Sequence, residues 1–340
     1  MFITVPQRIL ILAALIVFGL TACGGTKPDD EPSNRELARA SALYQEALKA
    51  LDEGSNIEAM SLLNEGLEHN PDSEELHQTR SLFGERVSHF EEVIASTEWL
   101  LERTPGDAVL IGRIVRAGLN GGFLDISRQA LNRLKRVDPG SAQTEILAAR
   151  VYLESGELKA AEEHATRSVE LIPEQTTAHH VIGLAREFAG DSELAIESFR
   201  RVIFVDPGHL GARDHLATLL LRLERRKESR KHRKIHSTLI QAMPGGYRHF
   251  KPSTRIESFT GVVEILPEWY FGFMELGRAL MQDEKFEESK EQLDHALTLE
   301  ARSAELHELM ASLLRRTGDI PGAERHAKLA GTPWAKGAAQ

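Results

Sequence analysis

Apolar and small side chains recur along this chain in short paired runs, each pair divided by a glycine turn and closed by a proline. The stretch from Thr176 to Pro207 shows the pattern most fully. Ile182-Gly183 stands in its first run, Gly190-Asp191 between the runs, Ala195 and Phe199 in the second, and Pro207 at the end. Ala195 and Phe199 lie four residues apart and so share one face of a helix. Glycine supplies left-handed geometry at a helix C-terminus, and Asp191 can cap the helix that follows. The unit is predicted to be two helices of roughly 12–15 residues joined by a turn.

Five prolines, Pro71, Pro105, Pro139, Pro173 and Pro207, stand at a constant interval of 34 residues. A fixed period between about 20 and 50 residues marks stacked supersecondary units, each burying its apolar face against its neighbours. Proline suits the boundary because it cannot continue the preceding helix and pre-sets φ for the next. Ala142 to Pro173 carries Tyr152, Gly156 and Ala161, and Ala40 to Pro71 keeps Gly54, Ala59 and Leu63. Ala108 to Pro139 keeps Gly122 and Leu131 but has Ser127 for the alanine. Glu74 to Pro105 is degenerate, with Ser88 and Val93 replacing the turn glycine and the alanine and only Phe90 and Pro105 left of the pattern.

After Pro207 the register falters. Leu210 to Leu223 reads as a first helix with Leu216-Ala217 in place. The second would run through Arg225 to His236, with Arg233 where the pattern has phenylalanine, so it is not expected to pack in the usual way. An irregular break is expected near 225–252, including a linker over 244–252. The pattern resumes with a helix from about Ser253 to Leu266, then Tyr270 to Ala301 with Leu276-Gly277, Leu293 and Ala296. Ala304 to Gly331 follows, with Met310-Ala311, Gly318-Asp319 and Ala323, and its charged outer helix suits a capping unit.

From about Arg35 onward these spacings resemble tetratricopeptide repeats, whose pattern is W-x2-L-G-x2-Y, then A-x3-F, then P. The resemblance implies an all-α fold, a right-handed helical solenoid that binds segments of partner proteins in a concave groove lined by first helices. It divides the chain into about six repeats over 36–243, the second and sixth degenerate, further repeats over 253–331, and a tail over 332–340. Arg116 and Arg150 occupy equivalent places in adjacent copies, and Arg113 lies within one turn of Arg116. Some members of the family capture a carboxylate with basic residues placed similarly, and a guanidinium fork suits that task. The matching Asn and Lys residues of that pattern are not found here. Two readings of Arg113, Arg116 and Arg150 stay open: an anion-binding groove, or surface charges paired with nearby glutamates.

The N-terminus reads as an address. Arg8 precedes an uncharged apolar run of twelve residues from Ile9 to Leu20. That length fits a signal peptide and is too short for a bilayer-spanning helix. Leu20-Thr21-Ala22-Cys23 then resembles the bacterial lipobox. The resemblance implies removal of residues 1–22, lipidation (palmitate included) of Cys23, and a flexible tether over 23–35. An ordinary secretory signal with an incidental cysteine is the alternative. Gly24 stands where lipoproteins retained at the inner membrane of two-membraned bacteria carry Asp, so the family rule places the chain at the outer membrane, facing the periplasm.

Composition narrows the chemistry. Acidic residues outnumber basic ones, 51 to 41, for a net charge of −10, which disfavours nucleic acid as a partner. Cys23 is the single cysteine, so there is no intrachain disulfide. None of the phosphate-loop, HExxH, GxSxG or GxGxxG motifs occurs, and the chain is expected to be no enzyme and to carry no cofactor. His232 and His236 have the i, i+4 spacing of zinc ligands, but Arg230, Lys231, Arg233 and Lys234 surround them with only Glu228 nearby, so no metal is expected. His179 and His180 point about 100° apart on a helix and cannot chelate together. A basic run, Arg225, Arg226, Lys227, Arg230, Lys231, Arg233 and Lys234, opposes the acidic trend. It reads as a solvated outer helix or as a contact for anionic lipid or an acidic partner.

The function expected is a membrane-anchored interaction scaffold or adaptor in the bacterial cell envelope. One alternative is an accessory subunit of an envelope enzyme or maturation system, for glycans or cytochromes. A third is an enzyme built on the 225–266 segment, where the sequence offers histidines, Glu257 and Tyr247.

Overall fold

The computed structural model describes residues 32–244, 248 and 250–331. Cys23 with its lipobox, Tyr247 and the 332–340 tail lie outside them. The described residues form an all-α helical repeat: seventeen α-helices, one short 3-10 helix and no strand. They divide between two compact units, the first ending at Leu100.

The first unit holds α1 (Asn34–Asp52), α2 (Asn56–His69), α3 (Glu74–Phe83), the 3-10 turn Gly84–Val87 and most of α4 (Phe90–Arg103). Helix α1 begins inside the stretch read as tether, because Ser33 and Glu36 form a reciprocal capping box at its start. The second unit continues with α5 (Ala108–Gly121), α6 (Leu124–Val137), α7 (Ala142–Glu154), α8 (Leu158–Leu171), α9 (Thr176–Ala189) and α10 (Ser192–Val205). Then come α11 (Leu210–Arg222), α12 (Arg226–Ala242), α13 (Pro252–Ile265), α14 (Tyr270–Gln282), α15 (Phe286–Leu299), α16 (Ala304–Thr317) and α17 (Ile320–Ala330).

The backbone itself records the repeat. Gly54, Ser88, Gly122, Gly156, Gly190 and Glu224 all have positive φ and follow one another at 34-residue intervals; Glu284 and Gly318 resume the series after one interval of 60. Each stands at the turn inside a helical hairpin. Left-handed geometry costs glycine little, whereas Ser88, Glu224 and Glu284 hold it against the usual preference of L-residues. Asp191 makes no side-chain cap at α10, contrary to expectation, while Asp319 accepts from the Gly322 N–H at α17.

Within a hairpin the contact of the two helices is tight. In α9/α10 the Phe199 ring lies against Gly183, where a Cβ would come within 2.7 Å of it. Where the pattern has alanine in the second helix, three hairpins carry a buried serine. Ser127 donates to the Val115 carbonyl (3.1 Å), Ser229 to Ala217 (2.7 Å) and Ser289 to Gly277 (2.8 Å). The hydroxyl thus finds an acceptor twelve residues earlier and enters the hairpin without an unmet hydrogen bond.

The expected break is shorter than the sequence indicates. Helix α12 runs unbroken over Arg226–Ala242 and buries Ser229, Ile235, Leu239 and Ala242, so Arg233 turns to solvent instead of disrupting the packing. Between α12 and α13, residues 243, 244, 250 and 251 lie outside helix. Pro252 then opens α13 at a position where its missing N–H costs nothing.

That short segment replaces a helix. Arg213 and Ala217 of α11 face His232 and Ser229 of α12, so these two helices are antiparallel. Trp269, just after α13, packs where a Cβ on Gly208, just before α11, would lie 1.9 Å from its ring. The C-termini of α12 and α13 therefore share one end, with Leu239, Val262, Leu266, Trp269 and partly buried Leu210 in one core cluster. Arg255 at the start of α13 donates to Gln282 at the end of α14, so α14 runs antiparallel to α13. Helices α12 and α13 are parallel second helices with no first helix between them. The end of α12 and the start of α13 therefore lie about 20 Å apart, the length of a fourteen-residue helix.

Candidate functional site

First helices of successive hairpins are joined side by side through polar bridges. The Arg150 guanidinium of α7 donates to Asn120 of α5 at 2.9 Å. His215 Nδ1 and Arg222 of α11 lie 2.7 and 3.5 Å from the Glu187 carboxylate of α9. Arg278 of α14 donates to Glu305 of α16 at 2.6 Å. In the second unit three pairs of neighbouring first helices are thus bridged by polar groups: α5 with α7, α9 with α11, and α14 with α16.

Arg116 and Arg150 keep their equivalent places on α5 and α7, with Arg113 one turn from Arg116, and all three are half-buried. Each of them is already engaged, so an incoming anion would share guanidinium donors with existing partners. Arginine has five such donors, enough for both.

The most heavily charged point of this layer has no counterpart in the repeat pattern. Glu275 of α14 is fully buried and accepts from Arg255 of α13 (3.1 Å), Arg278 (3.2 Å) and Arg248 of the 243–251 segment (3.2 Å). Arg255 is 1% exposed and also holds Gln282 at 2.6 Å. Arg248 lies 3.8 Å from Glu305 as well, which sets it along first helices α14 and α16. Buried charges are tolerated only when paired and hydrogen-bonded. No spacing rule links these residues, because none of them is a position of the repeat pattern.

Several histidines pin hairpin corners. His77, His179 and His307 donate through Nε2 to the carbonyl six residues earlier, of Pro71 (2.8 Å), Pro173 (2.9 Å) and Ala301 (3.1 Å). Arg213 Nε does the same to Pro207 (2.8 Å). His232 lies 3.4 Å from Arg213, and burial together with that guanidinium pushes its pKa down to about 4. Burial, with His209 and His215 beside it, likewise lowers His180 to about 4. Among the described residues no three His, Cys, Asp or Glu side chains are grouped to hold a metal.

The basic run forms one face of α12. Arg226, Lys227, Arg230, Lys231, Arg233 and Lys234 are all exposed, over an arc of about 160° opposite the buried residues. None of these six has a carboxylate within 4.0 Å among the described residues. Arg225 stands apart from them: its guanidinium bonds Glu228 at 2.9 and 3.0 Å and reaches Glu193 at 3.4 Å.

No protein-family profile matches the chain, and no curated protein matches it. Solved structures share helical stretches with it. TTC0263, described as a thermophilic TPR protein in Thermus thermophilus, is 18% identical over 54% of this chain and 99% of its own, with a TM-score of 0.42. Pseudomonas aeruginosa PilF is 13% identical over 70% of this chain and 98% of its own, at 0.33. Human IFIT1 is 14% identical over 86% and 71%, at 0.45. Likeness at this distance carries no statement about what this chain binds.

Proposed function

We propose that this protein is a membrane-anchored scaffold of the bacterial cell envelope that holds segments of partner proteins on its first-helix layer. The observation that supports this most directly is the side-by-side bridging of first helices, from Arg150 to Asn120 and from His215 to Glu187. Each bridged pair gives a partner a pre-ordered surface, which lowers the ordering cost of binding. Arg113, Arg116 and Arg150 would take the acidic side chains or terminal carboxylate of that segment.

Anchoring is assigned to Cys23, whose acyl chains would hold the protein at the outer membrane's periplasmic face. The six exposed cations of α12 would add contact with anionic headgroups, each worth about 1 kcal/mol near such a surface.

Photo-crosslinking in intact cells from positions 116 and 150, followed by identification of the captured protein, tests the scaffold reading. A single partner, lost in the Arg116→Glu/Arg150→Glu double variant at unchanged helicity, is the expected outcome. Retention of that partner by the double variant at low salt would remove the groove from consideration. Cys23→Ser should release the protein from membranes; unchanged fractionation and N-terminal processing would mean that the lipobox is accidental.

A further inference from the structure

At the corner where the interrupted tract folds back, the second unit has a cavity of about 840 Å³. The end of α10, the turn between α13 and α14, and the end of α15 enclose it. The first-helix layer supplies only the start of α14, so the site is separate from the proposed groove.

One wall is aromatic. Phe204 is 74% exposed, an unusual state for a phenylalanine with a cavity beside it, and Trp269 and Phe271 stand 5.1 Å apart behind it. Tyr270 adds a half-buried phenol for which the described residues offer no hydrogen-bond partner.

The polar lining is mainly acidic. Asp206, Glu268 and Glu300 reach the cavity, and none has a cation within 4.0 Å among the described residues. Asp206 and Glu300 each accept one backbone N–H, from Gly208 and Arg302, both at 3.0 Å, which fixes one oxygen and leaves further lone pairs. Of the cations nearby, Arg200 on the lining is bonded to Glu228 at 2.9 Å and Arg201 covers the Phe204 ring at 5.0 Å, while Arg213, buried against the Pro207 carbonyl, offsets part of the charge of Glu268 and Asp206 from a distance. Burial and the carboxylates Glu300, Glu305 and Asp206 together raise the Tyr270 pKa, as a negative local field would.

We propose that this corner cavity is a second binding site, which takes an Arg or Lys side chain of a partner protein together with the apolar residue next to it. An aromatic wall beside carboxylates suits such an occupant on both counts. The aliphatic stem and neighbouring apolar residue cover Phe204 and Trp269, and the cationic head meets Glu268 and Glu300 with a ring face nearby. The site selects against acidic segments, which the first-helix arginines are suited to hold, so one partner can engage both surfaces in sequence.

Fluorescence anisotropy with labelled decapeptides tests this on the purified protein, using alternating Arg/Leu, Arg/Ser and Glu/Leu sequences as probes. The Arg/Leu peptide should bind about tenfold tighter than Arg/Ser, and Glu/Leu should not bind. Phe204→Ala, and separately Glu268→Gln with Glu300→Gln, should each weaken Arg/Leu binding by about tenfold. Phe204 and Glu268 are exposed, so melting should not change. Glu163→Gln with Glu170→Gln, an equal charge change on the exposed face of α8, should leave binding as it was. Equal loss in that remote pair would show only attraction to an acidic protein, and would overturn the proposal. So would equal binding of Arg/Ser, no binding of any probe, or unaltered binding by both cavity variants. Concentration-dependent dimerisation that Phe204→Ala abolishes would assign the cavity to a second copy and equally overturn it.

Discussion

Hairpin α9/α10 and the tract from α11 to α14 solve the same packing problem with opposite chemistry. In α9/α10 the two helices meet through Gly183 and the ring of Phe199, with Ala195, Ile196 and Val202 fully buried around it. In the later tract the aromatic is absent from α12, and buried polar groups do its work: Arg213 on Pro207 and Arg255 on Glu275. Apolar wedges tolerate small shifts, whereas buried charges demand fixed partners. A repeat can thus lose a helix and keep its course, provided that polar anchors define the new geometry.

The comparison is broken most forcefully at Glu275. Glu275→Ala leaves the guanidinium of Arg255 buried and uncompensated, and should lower stability by about 4 kcal/mol. Urea unfolding measures this, and Glu275→Leu with Arg255→Leu should recover most of the loss if the penalty is the unpaired charge. In the regular hairpin, Phe199→Ala should cost about 3 kcal/mol, near the lower end for a buried phenylalanine because the rings of His180 and His215 can settle into the gap.

A third expectation concerns acid. The folded pKa of His180, about 4, lies below its ordinary 6.5, so the unfolded chain binds more protons between those values. Its contribution is intact above pH 6.5, falls as pH drops from there towards 4, and falls no further below. Between pH 7 and 5 the loss should be about 1–2 kcal/mol, and His180→Phe should remove that share of the urea-midpoint profile while leaving the share of His232. The smallest effect is expected at Ser229→Ala, under about 0.5 kcal/mol, because the Ala217 carbonyl already belongs to the ladder of α11 and alanine restores the pattern. A loss above 1 kcal/mol would mean that the serine is a true anchor of α12.

The hairpins could be read from the sequence because glycine and proline mark positions where few other residues fit. Gly190 and Pro207 punctuate their unit in sequence and structure alike. Glu224 and Glu284 escaped notice, since glutamate gives no local signal of left-handed backbone and takes it here because the hairpins on either side impose it. Arg233 misleads for a related reason: its place in the pattern implies a contact, whereas α12 makes its contacts through Ile235, Leu239 and Ala242. The site was less legible. The equivalence of Arg116 and Arg150 follows from the period, but the bond from Arg150 to Asn120 depends on how far neighbouring first helices are apart. The Arg255–Glu275 pair joins the neighbouring helices α13 and α14 through residues outside the repeat pattern, which no spacing could announce.

The uneven spacing of the turns also has a mechanical meaning. Pulled from its ends, a row of hairpins yields in steps whose lengths report how much chain each one hides. Hairpins at 34-residue intervals release about 12 nm apiece at roughly 3.5 Å per residue. The turns at Glu224 and Glu284 are 60 residues apart, held by the core around Leu239, Phe259 and Leu266 together with the buried ion pair, and that length would come free as a single increment of about 21 nm. A force–extension trace would then show one long stride among short ones, an internal ruler mark where the rhythm of the chain changes.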